Sequence, residues 1–462
     1  MGSAFVTIEG KSRNYYITVA VLAALALIGL ICFAFSYVEG HQLFGSSNVI
    51  PWGMPIVLAI YLIGLSAGSL ILSSLTYVFG REEYRPIARV AVLLAIVLIF
   101  GAMISIAVDL GRPEKFWRLF MFFYLNNMTS MFAINGILYG GYFAISLVYM
   151  GIILAGQKNL SRMMGIIAVC WAVLVHMGTG AIFGFIYARE AWFSPIKPFE
   201  FLAAAVTSGL ALLIVVIVLT LKFTKRDINK DMIASLGGML KAFIIVLTLF
   251  ILIDKLTHVY APHREATLFM LAGQFSWIFW ILQIGLVVIL PLVILFNPRI
   301  NKSLKWLTIA AVSVVVGIFF ERYYLVIPGA AYPQHFYPGE IQGVYGAVGH
   351  FSLMPTEIGL SIGIFAVLAL LFMIGLRYLD ALPPKPVVEP PKEEQSEAAE
   401  QIEAAKEETS QQTEAVKEET SEQTEASKAE EPPEQAESEK ASEVPEQTEA
   451  QEESTPDKAV EN

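Results

Sequence analysis

The first 380 positions are filled by about ten apolar runs, each of roughly 20 residues or more, separated by short polar breaks. The runs lie near 15–37, 53–79, 87–108, 128–154, 163–187, 200–222, 236–258, 268–296, 304–325 and 355–379. As helices, runs of this length cross about 30 Å of hydrocarbon. In lipid only helices and closed barrels satisfy their own backbone, and these runs are far too long for barrel strands. The pattern predicts an all-α, polytopic integral membrane helical bundle of about ten transmembrane helices. The first run is too long for the core of a signal peptide, and no small-residue cleavage site follows it, so it reads as a retained helix.

Charge divides the chain into two materials. From Ala381 onward there are 25 acidic and 7 basic residues, so the formal net charge of -10 hides a membrane part that is basic. The tail opens with ALPPKPVVEPPKEE and continues in an imperfect eleven-residue repeat, KEETSQQTEAV then KEETSEQTEAS. It has almost nothing large and apolar to bury, and is expected to be disordered. The organisation is thus residues 1–14 as an N-terminal segment, 15–380 as the transmembrane domain and 381–462 as a Glu/Pro/Ser/Thr-rich tail. Lys and Arg concentrate in the N-terminus and in the loops after even-numbered helices, including Lys222, Lys225, Arg226 and Lys230. The positive-inside rule places both termini in the cytoplasm, in the cytoplasmic (inner) membrane of a bacterium. Nothing in the pattern points to nucleic acid.

Two cysteines, Cys32 and Cys170, sit in apolar runs with no ligand spacing, so the chain offers no iron–sulfur cluster of its own. A haem held between helices needs facing mid-membrane histidines, and here His176 alone is central. No bound metal or haem is expected.

Ionisable groups are costly at membrane depth, so their positions carry information. Asp254 and His258 are four apart near the end of helix seven, on one face and within hydrogen-bonding reach. Glu321 and Arg322 are adjacent in helix nine, Glu357 opens helix ten, and Asp109 ends helix three. Glu39 and His41 occupy the first outer loop. Of the six histidines, His41, His258, His263, His335 and His350 fall at or beyond the same helix ends. The stretch VDLGRPEKFW carries Arg112, Glu114 and Lys115 beside Asp109 on the outer side, against the trend of positive charge inside. Protonatable groups gathered at one interface suit a site where protons enter or leave a membrane-soluble carrier such as a quinone. Helix pairing at Asp109–Arg112, anchoring of helix ends, and close packing through Gly64, Ala67, Gly68 and Ser69 are the plainer readings of the same residues. Ser66, Ser73, Ser74 and Thr76 of helix two offer a hydroxyl path inward from His176.

These residues bring a family into view. The chain resembles the NrfD family, also called the polysulfide reductase membrane-subunit family, over about residues 10–380. The resemblance lies in DLGRPEKFW after helix three, GLSAG in helix two, and NNMTSMFAINGIL at the entry to helix four. YAREAWFSPIKPFEFLAAAVTSGLAL, and HFYPGEIQG followed by MPTEIGLSIG, look like its ten-helix HybB-like and DsrP-like branch, the DsrP-like members of sulfur metabolism most of all. The resemblance implies the membrane subunit of a quinone oxidoreductase complex that is not catalytic alone. It implies a quinone, menaquinone by expectation, as substrate. It also implies a ferredoxin-like iron–sulfur subunit on the periplasmic face as partner, with a multihaem cytochrome and further membrane or cytoplasmic redox subunits as further candidates. Asp109, Asp254, His258 and Glu357 are then the candidate catalytic groups, and His41, Arg112, His176, Glu321 and Arg322 the candidate quinone-binding groups. Gly111 and Pro113 would set a tight turn after Asp109. The competing classes are a secondary transporter, for which no half-to-half repeat is visible, and a membrane anchor without quinone chemistry.

Overall fold

The computed structural model describes residues 5–118, 121, 126–227, 229–261, 264–334 and 346–384. His263, His335, the HFYPGEIQG stretch and the acidic repeats lie outside the described residues. Ten helices are long and apolar enough to cross a membrane among the described residues. They are α1 Arg13–Glu39, α2 Met54–Tyr77, α3 Arg85–Asp109, α4 Met131–Leu154, α5 Lys158–Gly184, α6 Lys197–Phe223, α7 Lys230–Tyr260, α8 Ile278–Phe296, α9 Leu304–Ala331 and α10 Pro355–Tyr378. The chain is therefore a multi-pass integral membrane protein.

Local chemistry sets the helix ends. Proline stands in the first turn of α2, α3, α6 and α10, where the missing N–H costs nothing. The Asn229 side chain accepts from the Asp231 and Met232 amides and starts α7 well before its apolar run begins. Gly40 after α1 and Gly111 after α3 take φ of 82° and 70°, left-handed values that break each helix sharply.

Two expectations are corrected. The run 268–296 is not one helix: a short helix, Arg264–Ala272, ends near Gly273, and α8 begins only at Ile278. Helix nine does not stop at residue 325 but continues to Ala331 with Pro328 inside it. Residues Ile278–Ile289 of α8 are wound as a π-helix, wider than an α-helix and rare at this length. The Leu290 amide donates to the Gly285 carbonyl, five residues back.

The most buried helix is α2, which packs against α3, α5, α6 and α9. The least buried is α1, which rides on α10. Small residues permit the tightest crossings. A side chain at Gly68 would strike the Ala205 carbonyl, and one at Gly209 would strike the backbone of Gly68. The small face expected of helix two is thus a helix-crossing surface. At one end of the bundle the chain before α1 pairs with the chain after α10. Val6 donates to the Leu382 carbonyl at 2.8 Å, and Leu382 to that of Val6 at 3.2 Å. Arg226 reaches the Thr7 carbonyl at 3.2 Å, and Arg89 the Asp380 carbonyl at 2.6 Å. Both ends of the ten-helix unit therefore lie on one side, as an even number of crossings requires.

The crossing of α2 with α6 gives a direct test. Gly209→Val forces two backbones apart and destabilises by about 1–3 kcal/mol. Gly238, whose Cβ would meet nothing within 4 Å, takes Ala without loss. Thermal unfolding in mild detergent should show a lowered midpoint for the first variant and an unchanged or raised one for the second.

Candidate functional site

Opposite the paired termini, the ends of the odd helices and the starts of the even ones carry the polar side chains. They form two groups joined by an aromatic box.

The first group surrounds the end of α3. Asp109 is half-buried at the last position of the helix. The left-handed Gly111 and the short turn Pro113–Lys115 swing the chain away behind it, as DLGRP suggested. A Cβ at Gly111 would stand 3.3 Å from His41 Nε2, so the exposed His41 ring crosses this turn. His41 itself rests on Phe44, with ring centroids 5.0 Å apart. Arg112 is exposed, and no ion pair joins it to Asp109 among the described residues. Pairing between those two is therefore not what the charges are for.

Glu357 is wholly buried, and its carboxylate lies within electrostatic range of Asp109. It accepts from the backbone amides of Met54 at 2.9 Å, Gly45 at 3.0 Å and Met354 at 3.2 Å. One carboxylate thus caps its own helix, the start of α2 and the intervening loop. Thr356 fastens the same loop through the Leu43 carbonyl.

The second group is a charged chamber among α6, α7, α8 and α9. Lys197 Nζ is 2.8 Å from Glu200 and 3.1 Å from Asp254, with all three side chains buried. Asp254 also takes Lys255 at 3.0 Å and the Ser194 hydroxyl at 2.5 Å. The expected Asp254–His258 side-chain hydrogen bond is replaced by another arrangement. His258 Nδ1 lies 2.7 Å from the Asp254 backbone oxygen but 3.6 Å from its carboxylate, and Nε2 is 2.6 Å from the Phe193 carbonyl. The i,i+4 spacing brings the ring to the helix carbonyl as readily as to the side chain.

Arg322 is buried over Phe201, with its guanidinium carbon 3.8 Å from the ring centroid, and one of its nitrogens meets both oxygens of Glu321 at 3.2 Å. His176 is buried in α5, with Nδ1 2.8 Å from the Ala172 carbonyl and Nε2 3.1 Å from that of Ile63 in α2. It ties α5 to α2. Inward from it Ser66 bonds Tyr142 at 3.2 Å, while Ser69, Ser73 and Ser74 bond carbonyls of their own helix. The hydroxyls of α2 are therefore largely consumed locally.

Between the groups stands the aromatic box. Trp52, just before α2, stacks on Trp192 with centroids 5.3 Å apart and planes within 10°. Phe132 and Phe183 meet Trp52 edge-on, and Phe183 stacks on Phe201. Trp192 belongs to the connector 185–196, which folds back into the bundle end. Its indole donates to the Leu325 carbonyl at 2.7 Å. Arg189 fixes the same connector through the carbonyls of Ala330 at 2.9 Å and Val49 at 3.2 Å. Burial lowers its pKa from the usual arginine value, and these carbonyls compensate the charge. Ser194, two residues after Trp192, holds Asp254, so the connector links the box to the chamber.

A match to the family model described as polysulphide reductase, NrfD, spans residues 42–334. The chain belongs to the NrfD family. The chain is 36% identical to the Hdr-like menaquinol oxidoreductase integral membrane subunit of Archaeoglobus fulgidus, over 84% of this chain and 99% of that protein. It is 31% identical to a selenate reductase subunit of Mesobacillus selenatarsenatis, over 79% and 93%. It is 24% identical to the menaquinone reductase integral membrane subunit of Nitratidesulfovibrio vulgaris, over 75% and 86%.

For this NrfD-family chain, the sequence pattern pointed to Asp109, Asp254, Glu321, Arg322 and Glu357, which the structure places in the two polar groups. It missed Lys197, Glu200, Lys255 and Gln283, which complete the chamber. Lys197 and Glu200 carried a signal, since a Lys and a Glu three apart at the mouth of an apolar run form a pair. Gln283 carried none, being a lone amide in an apolar run that only the packing of α8 brings to the chamber.

Two variants separate these roles. Lys197→Met leaves Asp254 and Glu200 buried with fewer partners and should cost about 3–5 kcal/mol. Combined with Asp254→Asn and Glu200→Gln, the loss should be far less than the single changes sum to, read from unfolding midpoints in detergent. Glu357→Ala should expose the loop 40–53 to protease while leaving the end that holds the termini intact, since three charge-assisted bonds of about 1.5–3 kcal/mol each are lost.

Proposed function

We propose that this chain is the quinone-interacting membrane subunit of a respiratory or sulfur-metabolism redox complex. It exchanges electrons between a quinol and an iron–sulfur subunit docked on the outer end of the bundle. Asp109 carries the reading. It is a carboxylate at a water-accessible helix end, with a histidine across the turn and no cationic partner among the described residues. Two other acids of this end are committed: Glu357 to three amides, Asp254 to two lysines and a serine. At the edge of the bundle Asp109 is free to take up a proton.

Quinol oxidation releases protons together with electrons, so the ring must sit beside a base that opens to water. Asp109 and His41 supply that base and its outlet. Phe44 and the aromatic box supply apolar surface for a flat ring. The chamber beside Lys197 does not fit one, because its two cavities, of about 10 and 20 Å³, are the size of a water molecule. Arg112, exposed on the same loop with Lys115 and Arg118, faces an acidic partner surface or the negative charge of a reduced ring. The menaquinol and menaquinone in the names of two relatives support menaquinol as the substrate. The reductase complexes named for others support redox partners, with the periplasmic iron–sulfur subunit as our specific choice. The distribution of Lys and Arg supports cytoplasmic termini and a periplasmic Asp109 edge.

Affinity purification in mild detergent tests this. Menaquinol added to the purified complex should reduce co-purifying iron–sulfur or haem centres, followed by optical and paramagnetic spectra. Asp109→Asn should slow that reduction by about 100-fold or more, the scale of a lost general base. An unchanged rate, or a chain that purifies without any centre responsive to quinol, overturns the reading.

A further inference from the structure

The charged chamber holds three cations, Lys197, Lys255 and Arg322, and three carboxylates, Glu200, Asp254 and Glu321. The carboxylates are not equally served. Asp254 has two lysines and a hydroxyl, and Glu200 has Lys197 at 2.8 Å. Glu321 has one nitrogen of Arg322, held equally at 3.2 Å from both its oxygens rather than in the two-pronged fork that makes such pairs strong. Glu321 Oε2 completes no hydrogen bond of good geometry. Beside it the Gln283 side-chain oxygen and Arg322 Nε are likewise without hydrogen-bond partners, though both residues are at most 3% exposed.

An unpartnered polar atom in a dry interior costs about 1–3 kcal/mol, and native proteins relieve such groups with internal water. The space for it is present. A cavity of about 20 Å³ is lined by Lys197, Glu200, Lys255, Gln283, Glu321 and Tyr324. A second, of about 10 Å³, borders Ser194, Asp254 and His258 and shares Lys197 and Lys255 with the first. Volumes of this order accept about one water apiece. Gln283 reaches the larger cavity from α8, where it is buried with Phe279 and Val287 on one face of the helix.

We propose that Glu321, Gln283 and the water between them form a proton-exchange site inside the α6–α9 half of the bundle, separate from the Asp109 edge. An internal water gives a proton to Glu321 Oε2; an O–H bond forms on the carboxyl and one breaks on the water, which regains its proton from the outer aqueous phase. Arg322 tolerates the neutralised Glu321 because its charge stays stacked on Phe201. Lys255 and His258, with side chains 23% and 20% exposed, form the rim through which the chamber meets outside water. The groups facing Glu321 are Lys197 and Glu200 from α6, Lys255 from α7, Gln283 from α8, and Arg322 and Tyr324 from α9, while Asp254 and His258 of α7 border the adjoining smaller cavity. His176 of α5 lies within electrostatic range of Arg322.

Infrared difference spectroscopy of the intact complex in lipid nanodiscs, stepped in pH without quinone, tests the site. An Asp109→Asn background removes that acid's contribution. A carboxylic-acid C=O band that moves in D2O and appears as pH falls is expected, to be lost in Glu321→Gln and kept in Glu200→Gln. In Gln283→Leu, which folds with an apolar filler, the band should shift upward because the acid loses its hydrogen-bonded surroundings. This second variant reads the site even if Glu321→Gln does not assemble. The absence of any such band, or a band untouched by both Glu321→Gln and Gln283→Leu, overturns the proposal. As no quinone is present, the outcome is independent of the Asp109 reading.

Discussion

Lys197, clasped between Glu200 and Asp254, is the interaction on which the half of the bundle opposite the paired termini turns. An isolated charge at this depth would cost several kcal/mol, and mutual attraction offsets that only when geometry and further hydrogen bonds are good. The lysine opens α6, Asp254 comes from the last turns of α7, and Ser194 brings in the connector between α5 and α6. Three separate segments must therefore arrive together or leave charge exposed to a medium that cannot solvate it. The connector, once held, places Trp192 against Trp52, and so sets the wall between the two polar groups.

Glu357 plays the matching part in the other group. Helix starts leave amides without partners, and in a membrane protein those amides cannot rely on bulk water near the core. A single carboxylate serving Met54, Gly45 and Met354 satisfies the starts of α2 and α10 together. The consequence for chemistry is a division of labour among acids of one end: Glu357 and Asp254 hold the frame, while Asp109 stands at the edge with no cation paired to its carboxylate among the described residues.

The central place of α2 explains why its hydroxyls do not simply read as a wire. Ser69, Ser73 and Ser74 return their protons to their own helix, while Ser66 donates across to the Ala95 carbonyl of α3 at 2.6 Å with the Tyr142 hydroxyl at 3.2 Å. Small residues on the same helix let α6 approach until backbones touch near Gly68 and Gly209. Tight packing and internal hydrogen bonding there favour rigidity in the middle of the bundle, while water-sized space opens in the charged chamber.

The sequence by itself determined the class, the helix count and the end of the bundle where polar groups gather. Length and hydropathy are local properties, and the bilayer imposes a fixed thickness on each run. DLGRP also announced its turn, because only Gly111 adopts the required φ without strain. What the tertiary structure alone decided was partnership. The pattern could place Asp254 and His258 on one face, but the carboxylate found Lys197, 57 positions away, and the ring found a backbone oxygen. It could place Glu321 beside Arg322, but not Gln283 of another helix beside Glu321 on one cavity, since that depends on how α8 packs against α9. Buried charges choose partners by distance in space, and distance in space is set by how helices cross.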